Sequence, residues 1–166
     1  MDAVIGLGSN LGPRIEYLRS AAEALGTLGT VRARSAVYAT APVGGPPQPD
    51  YLNAALWLCT DLEPLALLDQ LGTLERHAGR VRDPAVRNEA RTLDLDLLLL
   101  GDHGEVVLVL PELVVPHPRF HERAFALRPV LDLDPTLNHP ALGLSLGALL
   151  AELPPDAQAV RPVGWL

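Results

Sequence analysis

The stretch Arg91-Thr92-Leu93-Asp94-Leu95-Asp96-Leu97-Leu98-Leu99-Leu100 decides how the rest of the chain is read. Side chains alternate between the two faces of an extended strand, so Asp94 and Asp96 share one face while Leu93, Leu95 and Leu97 share the other. One face belongs to a core and the other carries paired carboxylates. Two such acids repel unless a cation lies between them, and hard oxygen donors suit Mg²⁺, which normally also takes substrate phosphate oxygens. A merely solvated strand face would show the same alternation. Two features favour chemistry. Asp is depleted in strands, and after Asp96 the alternation gives way to four leucines, as in a strand buried on both faces. Arg80, Arg82 and Arg91 come just before the strand, so cations and carboxylates are concentrated as a metal-bound polyphosphate requires.

The 166 residues, 48% hydrophobic, suffice for one core without staples, and a single domain spanning 1–166 is expected. The one cysteine, Cys59, has no partner within the chain. No basic-then-apolar leader opens the sequence and no apolar run reaches membrane-spanning length, so a cytoplasmic protein without membrane association is expected. A net charge of -7 argues against a nucleic-acid partner. All thirteen cationic side chains are Arg. Without Lys, the P-loop lysine, the protein-kinase strand lysine and Schiff-base chemistry are excluded. Arg supplies planar paired donors suited to phosphate oxygens.

Working outward, residues 3–7 read as a strand, followed by a glycine turn into a helix over 14–25, with Ser9 and Asn10 as capping residues. The Gly6, Gly8 and Gly12 spacing departs from the dinucleotide fingerprint, and no acidic residue ends the next strand, so a Rossmann assignment fails. Further strands are predicted over 31–39, 51–60, 92–100 and 106–110, the last two joined as a hairpin through Gly101-Asp-His-Gly104. Helices are predicted over 64–78 and 122–131. Helices alternating with adjacent, hairpin-linked strands favour an α+β fold, a ferredoxin-like sandwich with a mainly antiparallel sheet.

His117 lies between Pro116 and Pro118 near Arg119 and Arg123, in a stiff loop where it could touch phosphate or simply serve structure. Tyr51, Asn53 and Phe125 could sandwich and hydrogen-bond a flat heterocycle, although Phe125 would serve equally well in a core.

Taken together, Gly6-Leu-Gly-Ser-Asn-Leu-Gly12, Pro49-Asp-Tyr-Leu-Asn-Ala-Ala55, Glu75 with Gly79-Arg-Val-Arg82, Arg91-Thr-Leu-Asp-Leu-Asp96, and Val115-Pro-His117 with Arg123-Ala-Phe125 resemble the 6-hydroxymethyl-7,8-dihydropterin pyrophosphokinase family. The resemblance runs from the first strand to about Pro135. It implies transfer of diphosphate from ATP to 6-hydroxymethyl-7,8-dihydropterin, with release of AMP, in folate synthesis. It further implies two Mg²⁺ ions held by Asp94 and Asp96, with Arg80, Arg82, Arg91, His117 and Arg123 on the triphosphate and Glu75 and Leu97 beside the nucleotide. Gly8, Thr40, Pro42, Val43, Tyr51, Asn53 and Phe125 would form the pterin pocket, with Asp94 bordering it. A monomer is expected.

Asn88-Glu89-Ala90 stand where the family commonly has Trp-Gly-Pro, and Ala41, Gly72 and Pro118 also depart from its pattern. The connections 40–50 and 83–90 lack a core pattern and are expected to close over the substrates. Two other readings remain open on the residues alone: an Mg-dependent nucleotidyl- or glycosyltransferase using Asp94-x-Asp96, and a non-catalytic ferredoxin-like nucleotide-binding module.

Overall fold

The computed structural model describes residues 1–42, 49–79, 91–154 and 159–166. In chain order the first elements are β1 (Asp2–Ser9), α1 (Arg14–Leu25), β2 (Thr30–Arg34), β3 (Ala36–Thr40), β4 (Tyr51–Cys59), α2 (Pro64–His77) and β5 (Asp94–Leu100). There follow β6 (Leu108–Val109), β7 (Val114–Val115), a 3-10 turn (Phe120–Glu122), α3 (Ala124–Leu133), β8 (Asn138–His139), β9 (Leu144–Ser145), α4 (Leu146–Glu152) and β10 (Arg161–Trp165). The main sheet runs β10-β3-β4-β1-β5, with β2 also pairing β4, and all its pairings are antiparallel. This is the ferredoxin-like α+β sandwich expected from the sequence.

Strand alternation divides the core into two layers. Ile5, Leu7, Leu56, Leu95 and Leu97 face the buried sides of α1 and α2, where Leu18, Leu25, Leu67 and Leu71 meet them. Val4, Ala55, Trp57 and Leu98 face α3 and α4 through Leu127, Val130, Leu146 and Leu149. A register shift between Val4 and Ile5, where Ile5 opposes Leu97 and Val4 opposes Leu99, turns both Leu98 and Leu99 to the α3 side. The irregularity lets Leu97 to Leu100 all bury, none above 3% exposed, as the leucine run suggested.

Three elements differ from the sequence reading. The strand over 31–39 is two strands broken at Ser35, whose hydroxyl accepts the Ala55 N–H at 2.8 Å and donates to the Ala36 carbonyl at 2.7 Å. A side chain that competes for backbone partners interrupts the ladder there. The strand over 106–110 shrinks to β6, which pairs β7 and not β5. The hairpin does not continue past Val106, whose N–H donates to the Leu100 carbonyl at 3.0 Å, because the carbonyl of Leu98 in β5 accepts the His117 N–H at 3.0 Å. The helix over 122–131 begins two residues late, at Ala124, after the 3-10 turn.

Asp2, only 1% exposed, accepts the Trp57 Nε1–H at 3.2 Å and an ion pair from Arg32. Asp2→Ala leaves a buried indole N–H unsatisfied. It is expected to lower the unfolding free energy by about 2 kcal/mol, read from urea denaturation.

Candidate active site

The register of β1 brings the site together. Gly8 stands opposite Asn53 of β4 on one side and Asp94 of β5 on the other, and Gly6 opposes Asp96. A Cβ on Gly8 would lie 3.4 Å from Asn53 Oδ1 and 3.7 Å from the Cβ of Asp94. Glycine therefore keeps an open floor between the amide and the carboxylate. Leu95 and Leu97 bury beneath β5, 5% and 3% exposed, which puts Asp94 and Asp96 on the opposite face.

Charges converge on that face. Arg91 donates to Asp94 at 2.6 Å. Burial works against the Arg91 charge, but Asp94 outweighs it, helped by Tyr51 and Asp96, and raises the pKa. Burial, and then the neighbouring Asp94, push the Asp96 carboxyl up to about 6. Arg123 is held below the usual guanidinium range by burial and by Arg119, against the pull of Asp96 and Asp94. His117 is likewise lowered, by burial and by Arg123. Its Nδ1 accepts the Arg119 N–H at 3.2 Å, so the neutral ring carries its proton on Nε2 and is a donor there.

The other expected pocket residues adjoin this cluster. Asn53 donates from Nδ2 to Thr40 Oγ1 at 2.9 Å, which orients its Oδ1 beside Gly8. Thr40 pairs with Tyr51 across β3 and β4. At the start of α3 the Arg123 guanidinium lies 5.6 Å from the centroid of the Phe125 ring. Pro42 follows β3 at the end of a described stretch. Val43, Arg80 and Arg82 lie outside the described residues, as do Asn88-Glu89-Ala90, the 83–90 connection and much of the 40–50 connection.

Two expected nucleotide neighbours sit below the strand. Leu97 packs in the α1 and α2 layer, because alternation turns it away from Asp96. Glu75 is 3% exposed and accepts the Leu95 N–H at 2.8 Å, tying α2 to β5. Its charge also raises the Asp96 pKa, after burial and Asp94 and against Arg123.

Asn10 has a role that capping rules missed. The N-cap of α1 is Pro13, without a side-chain cap bond. Fully buried Asn10 instead accepts the Arg91 N–H at 2.7 Å on Oδ1, donates its own N–H to the Arg91 carbonyl at 3.0 Å, and reaches the Pro49 carbonyl with Nδ2 at 3.4 Å. It holds the stem of the Arg91 segment against that of the Pro49 segment. Ser9 is buried, and among the described residues its hydroxyl has no hydrogen-bond partner and caps nothing. A short polar residue in a glycine turn was the available signal, and it does not say which loop the amide will grip.

Among the described residues, no cluster of three or more His, Cys, Asp or Glu side chains is arranged to hold a metal. Asp94 and Asp96 could therefore supply only part of a coordination sphere. That partial carboxylate set fits Mg²⁺, which keeps waters and takes phosphate oxygens, and does not fit a closed structural zinc site.

Fold and site together define a ferredoxin-like α+β domain with paired carboxylates and arginines gathered on one face of its sheet. The sequence pattern of the family described as 7,8-dihydro-6-hydroxymethylpterin-pyrophosphokinase matches residues 4–135, and the chain belongs to that family. It is 44% identical over 152 residues to the 2-amino-4-hydroxy-6-hydroxymethyldihydropteridine pyrophosphokinase of Pseudomonas aeruginosa, covering 90% of each chain. With the Haemophilus influenzae enzyme of the same name it shares 39% over 142 residues, covering 84% of this chain and 86% of that one. Among solved structures, Plasmodium falciparum HPPK-DHPS with pteroate shares the fold, with a TM-score of 0.69 at 14% identity. The match covers 89% of this chain and 41% of that longer one.

Proposed function

We propose that this chain, a pyrophosphokinase of folate biosynthesis with ATP as co-substrate, transfers diphosphate to the hydroxymethyl oxygen of 6-hydroxymethyl-7,8-dihydropterin through the face of β5 that carries Asp94 and Asp96. The observation that supports this placement is the convergence of Asp94, Asp96, Arg91, Arg123 and His117 beside the floor at Gly8. Asp94 and Asp96 would hold two Mg²⁺ ions, whose charge offsets that of the phosphate oxygens. Arg91 and Arg123 orient the triphosphate, His117 donates to it from Nε2, and Arg80 and Arg82 are assigned the same task. Asn53 Oδ1 and Thr40 meet the polar edge of the pterin, Tyr51 and Phe125 bracket its faces, and Pro42 and Val43 border it. No serine, cysteine or lysine nucleophile is assigned. The transfer is direct, and the chain contributes positioning and charge complementarity. We assign residues 1–166 to one domain, since β10 joins the same sheet as β1, and expect it to act as a monomer.

Product analysis tests this reading. ATP, the pterin alcohol and Mg²⁺ should give one AMP for each pterin diphosphate; ADP or free diphosphate would contradict it.

The raised pKa of Asp96 makes cation binding dependent on pH. A carboxyl whose folded pKa is raised adds stability to the apo fold below its ordinary pKa, and that stability is lost as pH rises through about 6. Holding a cation would require Asp96 in its charged form. The upward shift of the melting temperature caused by Mg²⁺ with an ATP analogue should therefore be larger at pH about 7.5 than at pH about 5.5.

A further inference from the structure

Two imidazoles beyond the phosphate face each bury a nitrogen that has no hydrogen-bond partner among the described residues, His121 Nδ1 and His139 Nε2. The rings meet edge to face with centroids 5.4 Å apart, and Phe120 stacks on His139 at 6.2 Å. His139 is 4% exposed and lies in β8, while His121 belongs to the 3-10 turn that leads into Arg123.

Neighbours set the tautomers. His139 Nδ1 accepts the Leu142 N–H at 3.3 Å, so the neutral ring carries its proton on Nε2. His121 Nε2 lies 3.9 Å from the Glu122 carboxylate, which favours the proton on that nitrogen and leaves Nδ1 as a lone pair. The contact thus holds one unpaired donor and one unpaired acceptor, which a bridging water would satisfy together. A transition ion would need a lone pair on both nitrogens, and the Leu142 bond denies one to His139.

We propose that His139, acting through His121, is a positioning residue for the transfer: the neutral pair seats the 3-10 turn against β8 and so fixes Arg123 and Phe125. This rests on the function proposed above. The backbone passes the constraint along, since Phe120 N–H donates to the His117 carbonyl at 2.9 Å and Arg123 N–H to the Phe120 carbonyl at 3.3 Å. The Arg123 carbonyl in turn accepts the Ala126 and Leu127 N–H groups at 3.0 and 2.9 Å, starting α3.

Charged groups lie on both sides of the pair, and beside β8 His103, Glu105 and Asp134 line a pocket with Asn138 and Pro140. On the turn, Glu122 faces His121 and is itself bound by Arg119 at 3.1 Å. From α4, Leu146 and Leu149 are buried in the same apolar cluster as Phe120. His121 is the charged neighbour that bears on His139 titration, and burial followed by His121 holds the His139 pKa below the ordinary imidazole value. Protonating His139 would turn its Nδ1 into a donor against the Leu142 N–H amid apolar neighbours. The contribution of His139 is therefore complete above pH about 6.5 and is lost as pH falls through its depressed folded pKa.

Steady-state kinetics at pH about 8 and about 5.8 test the proposal on the wild type, His139→Leu and His121→Asn. His139→Leu should raise KM for the pterin about fivefold at the higher pH with kcat within about twofold, as for one lost hydrogen bond. His121→Asn keeps an acceptor that does not titrate. It should match the wild type at the higher pH, and at the lower one its KM should rise at least as much as that of the wild type, because His139 still titrates and has lost the neighbour that lowers its pKa. Asp96 and His117 titrate in all three proteins, so the differences isolate the pair. Equal KM values for all three at both pH values would overturn it. Absence of AMP from the wild type would instead remove the functional reading. Imidazole ¹⁵N shifts then decide the pair independently: Nε2–H on both rings supports it, and Nδ1–H on His139 overturns it.

Discussion

Asp96→Asn is expected to lower kcat by about 10³-fold or more while the apo protein melts no lower than the wild type. The two halves of this result have one cause. Burial and the Asp94 charge make the Asp96 carboxylate unfavourable in the empty site, so a neutral isostere relieves the fold at neutral pH. The same substitution removes a hard anionic donor from a set that has only two carboxylates on that face of β5. Turnover by product chromatography and melting by circular dichroism check both halves. Loss of activity accompanied by a large fall in melting temperature would mean that Asp96 serves the fold. Asp94→Asn should also abolish turnover. Its Arg91 partner loses the ion pair at 2.6 Å, so the variant should additionally show weaker nucleotide binding.

Arg123→Ala should lower kcat/KM by about 10²-fold, mainly through KM for ATP. The guanidinium is half-buried, it feels the charges of Asp96 and Asp94, and it lies over the Phe125 ring. Its loss removes both an anion donor and the packing that settles an aromatic wall of the pocket. Arg123→Lys should restore only part of the activity, because an ammonium cannot reproduce the planar paired donors. An independent readout is His117. Freed from the repulsion of Arg123, its pKa should rise toward the ordinary imidazole range, although burial remains the larger cause of its depression. NMR titration of the His117 ring would show this, and an unchanged or lower value would mean that the two side chains do not share one field.

Much of this site was legible in the sequence because its backbone logic is periodic. Alternation alone placed Asp94 and Asp96 opposite Leu95 and Leu97, and the leucine run announced a strand buried on both faces. The ferredoxin-like order followed from helices alternating with paired strands. What escaped depends on which distant group satisfies a polar atom. Ser35 breaks one predicted strand in two because its hydroxyl takes a bond from Ala55, and no local propensity reports a partner twenty residues away. Asn10 looked like a cap, yet its amide spans Arg91 and Pro49. The predicted 106–110 strand failed for a similar reason, since His117 rather than that segment bonds Leu98 on β5. The helical and strand elements after residue 135 had too little periodic length to announce themselves, the longest being the seven-residue α4, capped by the Ser145 hydroxyl at 3.1 Å.

A crystal structure with Mg²⁺, a nonhydrolysable ATP analogue and the pterin alcohol would decide where the phosphates and cations lie. Asp94 and Asp96 should both ligate ions that also touch phosphate oxygens, with Arg91, Arg123 and His117 Nε2 on the same phosphate chain and the pterin between Asn53 and Phe125. Carboxylates of Asp94 and Asp96 turned to solvent, with the phosphates bound elsewhere on the sheet, would contradict the assignment.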